Sequence, residues 1–138
     1  MAQKKLKVIL DTNIWISFLI TKTYLRLDQY LINGKIKLIF SEELLTEFLE
    51  VTKRPKLKAY FSPENVSDLI EYFNSYAQLI NVKSNIKICR DPKDNFLLSL
   101  AKDSNADYLV TGDKDLLVIE KFGTTIILTI ENFMKLLT

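Results

Sequence analysis

Short apolar runs alternate along the chain with segments whose apolar residues recur at helical spacing. The first run, residues 6–10, is rich in β-forming residues and ends at an Asp-Thr-Asn turn, which predicts a buried strand. Later runs are also short and mainly apolar, so they predict strands as well. The predicted strands are residues 6–10, 37–40, 77–82, 108–110 and 125–128.

Helix signals separate these strands. Ser41 is a good N-cap, Glu42 and Glu43 suit the positive end of a helix dipole, and Pro63 suits the first position of a helix. The predicted helices are residues 14–32 with an interruption near 21–23, a helix that begins after Ser41 and closes at 53–55, a helix that begins at 62–64, helices at 91–104 and 114–119, and a last helix from 129 or 130. Strands that alternate with helices predict an α/β fold with a mainly parallel sheet. The chain has no repeat and no Pro-, Gly- or Ser-rich linker, which indicates a single domain over residues 1–138.

Composition narrows the possible chemistry. The chain has no histidine, Cys89 is its single cysteine, and it has three glycines. These counts exclude a Ser-His-Asp triad, histidine and four-cysteine zinc sites, disulfides within the chain and the Gly-rich loops that bind phosphates. The groups that could still carry out chemistry or bind a ligand are carboxylates, hydroxyls, amides and basic side chains. The net charge of +2 gives no global sign of a nucleic-acid partner.

Two observations bear on location. No apolar run reaches the roughly 18–20 residues that a membrane span needs. The basic start is followed by too short an apolar run for a signal peptide. We therefore expect a cytoplasmic protein that does not associate with a membrane.

Four acidic residues lie where apolar segments begin or end, or at the border of a buried face: Asp11, Glu47, Asp94 and Asp113. Asp11 and Asp113 follow predicted strands, at the sheet edge where parallel sheets bind ligands. Glu47 borders the apolar face of its helix, and Asp94 stands at the head of the apolar stripe of another. Each acid also has a structural explanation: a helix cap, a solvated glutamate, a favourable helix start and a turn, respectively.

A cluster of these acids would require neutralisation. Two carboxylates about 5 Å apart repel by roughly 3 kcal/mol at an effective dielectric of ~20, and several such pairs would exceed what a domain of ~5–15 kcal/mol stability tolerates. Three outcomes are open: a metal ion neutralises the acids, some are protonated, or they do not lie together. Hard divalent cations such as Mg²⁺ or Mn²⁺ prefer oxygen ligands and fit the first outcome.

The motifs that contain these acids resemble those of the PIN-domain family, metal-dependent ribonucleases that include the VapC-type toxins of bacterial toxin–antitoxin pairs. The likeness begins with VILDTN at residues 8–13, continues with SEELLTE at 41–47 and RDPKDNF at 90–96, and ends with ADYLVTGDKDL at 106–116. The last two motifs, in this order and spacing, are the most specific. The likeness covers nearly the whole chain and is strongest to a branch of toxin components.

The resemblance implies a three-layer α/β/α sandwich around a mainly parallel sheet of four or five strands. It also implies that Asp11, Glu47, Asp94 and Asp113 are the catalytic residues and bind Mg²⁺ or Mn²⁺, with Asp115 as an outer metal ligand.

Supporting residues and partners are further implications of the resemblance. Thr12, Asn13 and Thr111 would hydrogen-bond the carboxylates or their waters. The implied function is a metal-dependent endoribonuclease that hydrolyses RNA phosphodiester bonds as the toxin of a type II pair. The implied partners are the RNA substrate, a small antitoxin protein and a second copy of the chain in a homodimer. A role in RNA processing without a toxin function is the alternative within the family.

A basic cluster could hold RNA. It consists of Lys53, Arg54, Lys56 and Lys58. Tyr60 and Phe61 follow it and could stack on bases, while Arg90 could contact a phosphate or pair with an acid. A solvated loop is the structural alternative.

Two other readings are open. An aspartate-nucleophile phosphatase also begins with an acid at a strand end, but it needs a second Asp two residues later, where this chain has Asn13. A PIN-like domain could also serve only for binding, with the acids acting as caps.

Overall fold

The computed structural model describes residues 5–21, 29–30 and 33–137, and its strands form a six-stranded sheet. The strands are β1 Leu6–Leu10, β2 Ile36–Phe40, β3 Ala77–Leu79, β4 Tyr108–Val110, β5 Lys121–Phe122 and β6 Thr125–Leu128. Their order across the sheet is β3-β2-β1-β4-β6-β5, and every neighbouring pair is parallel except β5 with β6. The predicted α/β fold with a mainly parallel sheet is confirmed.

The centre of the sheet is covered on both faces. Val8, Ile9 and Leu10 are consecutive in β1, and each is at most 1% exposed. Because neighbouring residues of a strand point to opposite faces, burial of all three requires packing on each side. A sheet between two covering layers is the arrangement expected of a three-layer sandwich.

The helices follow the predicted capping signals. They are α1 Thr12–Thr21, α2 Glu42–Thr52, α3 Pro63–Tyr76, α4 Pro92–Ser104, α5 Lys114–Leu117 and α6 Ile130–Leu137. The Ser41 hydroxyl accepts a hydrogen bond from the backbone N–H of Leu44 at 3.1 Å, as an N-cap should. The predicted helix at 14–32 begins two residues earlier and is described to Thr21, and part of the prediction, at 22–28 and 31–32, lies outside the described residues. Among the described residues, no helix has the length and apolar composition to cross a bilayer.

The prediction of four or five strands was wrong, because the sheet has six. The additional strand, β5, has only two residues and pairs antiparallel with β6. Gly123 between them has φ +61, a left-handed conformation that suits a tight hairpin turn. Two residues are too few to show an apolar pattern, so this strand has no recognisable signal in the sequence.

The predicted strand at 77–82 was three residues too long, because β3 ends at Leu79. The residues that follow, 80–90, have no regular secondary structure and contact α4. Side chains of α4 hold this 80–90 segment: Asn95 Oδ1 accepts from the N–H of Cys89 at 2.7 Å, and Ser99 Oγ accepts from the N–H of Ile86 at 3.0 Å. The N–H of Ile80 still donates to the carbonyl of Phe40 in β2 at 2.8 Å, but the later part of the segment finds hydrogen-bond partners on a helix.

The parallel arrangement fixes the position of the candidate site. The carboxyl ends of β1, β2 and β4 lie at one edge of the sheet, because these neighbours run in the same direction. Asp11 follows β1, Ser41 and α2 follow β2, and Thr111 follows β4. Chain segments that are far apart in sequence therefore deliver polar side chains to the same edge.

Candidate metal centre

A cavity of about 370 Å³ opens at this edge, and all four predicted acids line it. Asp11 comes from the end of β1, Glu47 from α2, Asp94 from the first turn of α4, and Asp113 from the turn between β4 and α5. Four separate segments therefore direct carboxylates into one space.

Asp94 is the most deeply buried of these acids. It is 3% exposed, and its Oδ2 accepts no hydrogen bond from any residue that the structure describes. Burial, the charge of Asp113 and a hydrogen bond with that residue together raise the pKa of Asp94 to about 6. Asp94 is thus a carboxylate that folding places away from water without giving its Oδ2 atom a donor.

Asp113 and Asp115 lie beside Asp94. One oxygen atom of each of the three carboxylates lies within 4.8 Å of the others. Asp113 also caps α5, because its Oδ1 accepts from the N–H of Asp115 at 2.8 Å. Asp113 therefore has a structural role as a helix cap, and the same turn places its carboxylate beside those of Asp94 and Asp115.

Asp11 is held by hydrogen bonds at the side of this group. The Thr111 hydroxyl donates to Oδ2 of Asp11 at 2.9 Å and accepts from the N–H of Asp113 at 3.0 Å. Burial raises the pKa of Asp11; the bonds from Thr111 and from the backbone of Asn13 oppose this effect, and the charges of Glu47 and Asp113 add to it. A single buried hydroxyl thus couples the segments after β1 and β4.

Glu47 has a cation beside it. Its Oε2 accepts from the Thr12 hydroxyl at 3.3 Å, and its Oε1 lies 2.7 Å from Nζ of Lys93. Lys93 also lines the cavity. The sequence analysis did not single out this lysine, although it directly precedes Asp94; its pairing with a residue 46 positions earlier leaves no local signal.

Asp115, the predicted outer ligand, has a basic partner as well. Nη2 of Arg90 lies 3.1 Å from both of its carboxylate oxygens. Of the two possibilities that the sequence left open for Arg90, the structure has the pairing with a nearby acid. The Arg90 side chain is 88% exposed and that of Asp115 is 46% exposed, so the ion pair contributes little to stability.

The supporting and basic residues divide into those at the cavity and those outside it. Thr12 and Asn13 line the cavity, although the contact of Asn13 with Asp11 comes from its backbone N–H. The four residues of the basic cluster are exposed, and they follow α2: Lys53, Arg54, Lys56 and Lys58. Tyr60 is exposed, but the suggestion that Phe61 is available for stacking was wrong. Phe61 is buried against Phe48, with the ring centroids 6.3 Å apart.

The donor set fits a hard divalent cation. Every candidate ligand atom is a carboxylate oxygen, the ligand type that Mg²⁺ and Mn²⁺ prefer. The unsatisfied Oδ2 of Asp94 is the strongest sign, because a buried anion without a donor is costly unless a cation joins it. Asp94, Asp113 and Asp115 are close enough to share an ion, whereas Asp11 and Glu47 line the same cavity without belonging to that group of three.

Comparison with known proteins places this geometry in a family. The family model of the PIN domain matches residues 7–115. The uncharacterized protein MJ1680 of Methanocaldococcus jannaschii is 34% identical over 120 residues, which are 85% of this chain and 77% of that protein. The chain belongs to the PIN-domain family, and the resemblance predicted from its motifs is confirmed.

Solved structures show the same fold. The crystal structure of PAE2754 from Pyrobaculum aerophilum superposes with a TM-score of 0.65 at 14% identity, and the match covers 96% of this chain and 89% of that one. A chain of VapBC2 from Rickettsia felis, solved bound to a DNA fragment from its promoter, matches with a TM-score of 0.55 at 21% identity over 88% of this chain and 97% of that one. At these identities the likeness concerns the fold.

Proposed function

We propose that this protein is a metal-dependent endoribonuclease and the toxin of a type II toxin–antitoxin pair. The observation that carries the proposal is the gathering of Asp11, Asp94 and Asp113 at one cavity, with a buried Asp94 oxygen that no described residue satisfies. Membership of the PIN-domain family supports a nuclease. A reaction on phosphodiesters suits a site that offers carboxylates and basic side chains but no histidine.

The catalytic residues would be Asp11, Glu47, Asp94 and Asp113, with Asp115 as an outer ligand of Mg²⁺ or Mn²⁺. When bound, such an ion lowers the pKa of a coordinated water and stabilises the charge that develops on the phosphate and the leaving oxygen. The cleaved RNA would carry a 5′-phosphate.

The neighbouring residues would keep the site in order. The Thr111 hydroxyl donates a hydrogen bond to Asp11 and accepts one from the backbone N–H of Asp113, which fixes the turn at that residue. Thr12 holds Glu47 from the start of α1. Such hydrogen bonds to metal-binding carboxylates orient their oxygens before an ion arrives, which improves affinity.

Partners follow from the proposed toxin role. The fold likeness to VapBC2 of Rickettsia felis supports a small antitoxin protein as the partner, and a homodimer in the cytoplasm is the assembly we expect. The exposed cluster of Lys53, Arg54, Lys56 and Lys58 would attract the RNA backbone. Replacing these four cations should reduce the salt dependence of RNA binding.

The direct test is Asp11→Asn. The unmodified protein should cleave single-stranded RNA in the presence of Mg²⁺ or Mn²⁺ and leave 5′-phosphate ends. The variant keeps the volume and the hydrogen bond from Thr111, so it should fold normally, but we expect its cleavage to fall by more than the ~10–100-fold that follows loss of a supporting partner. Asp68→Asn, an exposed acid on α3, is the control. Full activity in well-folded Asp11→Asn protein would refute the assignment.

A further inference from the structure

Lys93 places a positive charge at the mouth of the acidic cavity. Its ammonium group lies 2.7 Å from Oε1 of Glu47, and its side chain is 62% exposed, against 27% for Glu47. The hydrogen bond with Glu47 and the charge of that residue raise the pKa of Lys93. At neutral pH the side chain is therefore a cation whose ammonium group is held by Glu47 and whose aliphatic part is open to solvent.

We propose that Lys93 is a substrate-binding residue, whose ammonium group pairs with Glu47 and moves to a phosphate of the RNA backbone when metal and RNA bind. This inference rests on the proposed nuclease function and names a residue that holds the substrate at that site.

The charges around the cavity require such a group. Six carboxylates surround the site: Asp11, Glu43, Glu47, Asp94, Asp113 and Asp115. Among the described residues, basic side chains pair with only two of them, Glu47 and Asp115. Four carboxylates remain, so a single divalent ion leaves the site with net negative charge. An incoming phosphodiester, itself an anion, then needs a nearby cation that can leave its carboxylate.

The contact between Lys93 and Glu47 is suited to exchange. Glu47 has two oxygens, one on Lys93 and one on Thr12 at the longer distance of 3.3 Å. An ion pair this exposed contributes little to stability, so little energy keeps the ammonium in place once Glu47 turns inward. The flexible four-carbon stem of Lys93 then lets its charge move without any change in the helix.

The surroundings of Lys93 point toward a polyanion. The charge of Arg54 opposes the increase in the pKa of Lys93, so this member of the basic cluster acts on the residue at the cavity mouth. Arg90 differs, because it is 88% exposed and is not among the described residues that line the cavity.

The test uses Lys93→Met, which removes the charge and keeps the length, and Lys93→Arg, which restores a charge. The control is Lys102→Met, which removes an exposed lysine from the same helix nine residues away, about 13 Å along its axis. The first readout is calorimetric titration with Mn²⁺ and no RNA. Lys93→Met should bind Mn²⁺ about threefold more tightly, because Glu47 loses a competing cation, while Lys102→Met should match the unmodified protein.

The second readout is cleavage of a single-stranded RNA at saturating Mn²⁺. Lys93→Met should raise KM about tenfold with a smaller effect on kcat, and the slope of log KM against log salt should fall by ~0.7, the value for one lost phosphate contact on a single strand. Lys93→Arg should restore the slope. A lysine with only a structural role would not change the salt slope.

The outcomes separate the two proposals. If Lys93→Met matches Lys102→Met in Mn²⁺ affinity or in KM and salt slope, while the unmodified protein binds Mn²⁺ and cleaves RNA, the role of Lys93 is overturned and the nuclease stands. If the unmodified protein neither binds Mn²⁺ nor cleaves RNA, both proposals fall.

Discussion

Helix α4 carries two aspartates that folding treats in opposite ways. Asp103 accepts three hydrogen bonds from the 80–90 segment: from the N–H of Lys83 at 2.6 Å, the N–H of Ser84 at 2.8 Å and the hydroxyl of Ser84. Asp94, nine residues earlier, is 3% exposed and has an oxygen that no described residue satisfies. The bonds from Ser84 lower the pKa of Asp103, whereas burial raises that of Asp94 to about 6.

The difference separates a structural acid from a candidate functional one. Asp103 lies at the end of a row with Asn95 and Ser99, spaced four residues apart, that holds the 80–90 segment along the helix. Hydrogen bonds within the protein stabilise the negative charge of Asp103. The Oδ2 atom of Asp94 has no such partner among the described residues, and a buried anion without a partner lowers stability until a cation binds it. An acid that weakens the fold suggests a function, whereas an acid that completes it does not.

The largest stability effect that we expect concerns Asp94 and pH. Between pH 3.8 and about 6, folded Asp94 keeps its proton while the unfolded chain loses it, so the free energy of unfolding decreases as pH rises through this range. At about 1.4 kcal/mol per pKa unit, the decrease is roughly 3 kcal/mol. Asp94→Asn is uncharged throughout, so it should lack this decrease and be more stable than the unmodified protein at pH 7. Urea unfolding at pH 4 and pH 7 with a chelator measures most of the decrease and the difference in stability at pH 7.

The comparison would fail if Asp94→Asn were less stable than the unmodified protein at pH 7 without metal. That result would mean that the carboxylate is satisfied in the metal-free fold. Because other acids also titrate, the quantity to compare is the difference between the two proteins at each pH.

A smaller effect of opposite sign is expected at Asp103. Asp103→Asn removes the charge from three hydrogen bonds and should lower the free energy of unfolding by about 1.5 kcal/mol at pH 7, the lower end for bonds to a charged group. Because the pKa of Asp103 is lowered, its stabilisation is present at neutral pH and is lost as pH falls through the folded pKa. Hydrogen exchange at Lys83 and Ser84 should accelerate in the variant. Unchanged exchange and stability would show that these bonds do not hold the segment.

Much of the fold could be predicted because its signals are local. Ser41, Pro63 and Asp91 mark helix starts by their own chemistry, and the structure has helices that begin directly after or at each of them. The strands β1, β4 and β6 consist mainly of apolar residues, as expected in a mainly parallel sheet with covered faces. β5 escaped prediction because its two residues are too few to show a pattern, and the end of β3 escaped it because pairing with the distant β2 decides where the strand stops.

The candidate site was predictable to the level of which acids face inward. Asp94 heads an apolar stripe, and Asp11 and Asp113 follow central strands, so their convergence follows from the topology. The sequence could not indicate which acids would find a basic partner. The contact of Lys93 with Glu47 depends on how α2 and the start of α4 approach each other across the cavity, and Phe61 turned inward because Phe48 offered it a packing surface.

The central claim is that the acids of the cavity converge to hold a divalent cation, and calorimetric titration with Mn²⁺ tests it most directly. Asp94→Asn and Asp103→Asn remove the same charge from the same helix, so they form a matched pair. We predict that the unmodified protein and Asp103→Asn bind Mn²⁺, and that folded Asp94→Asn shows no saturable binding. Equal Mn²⁺ affinity in all three proteins, or no binding by the unmodified one, would contradict the account.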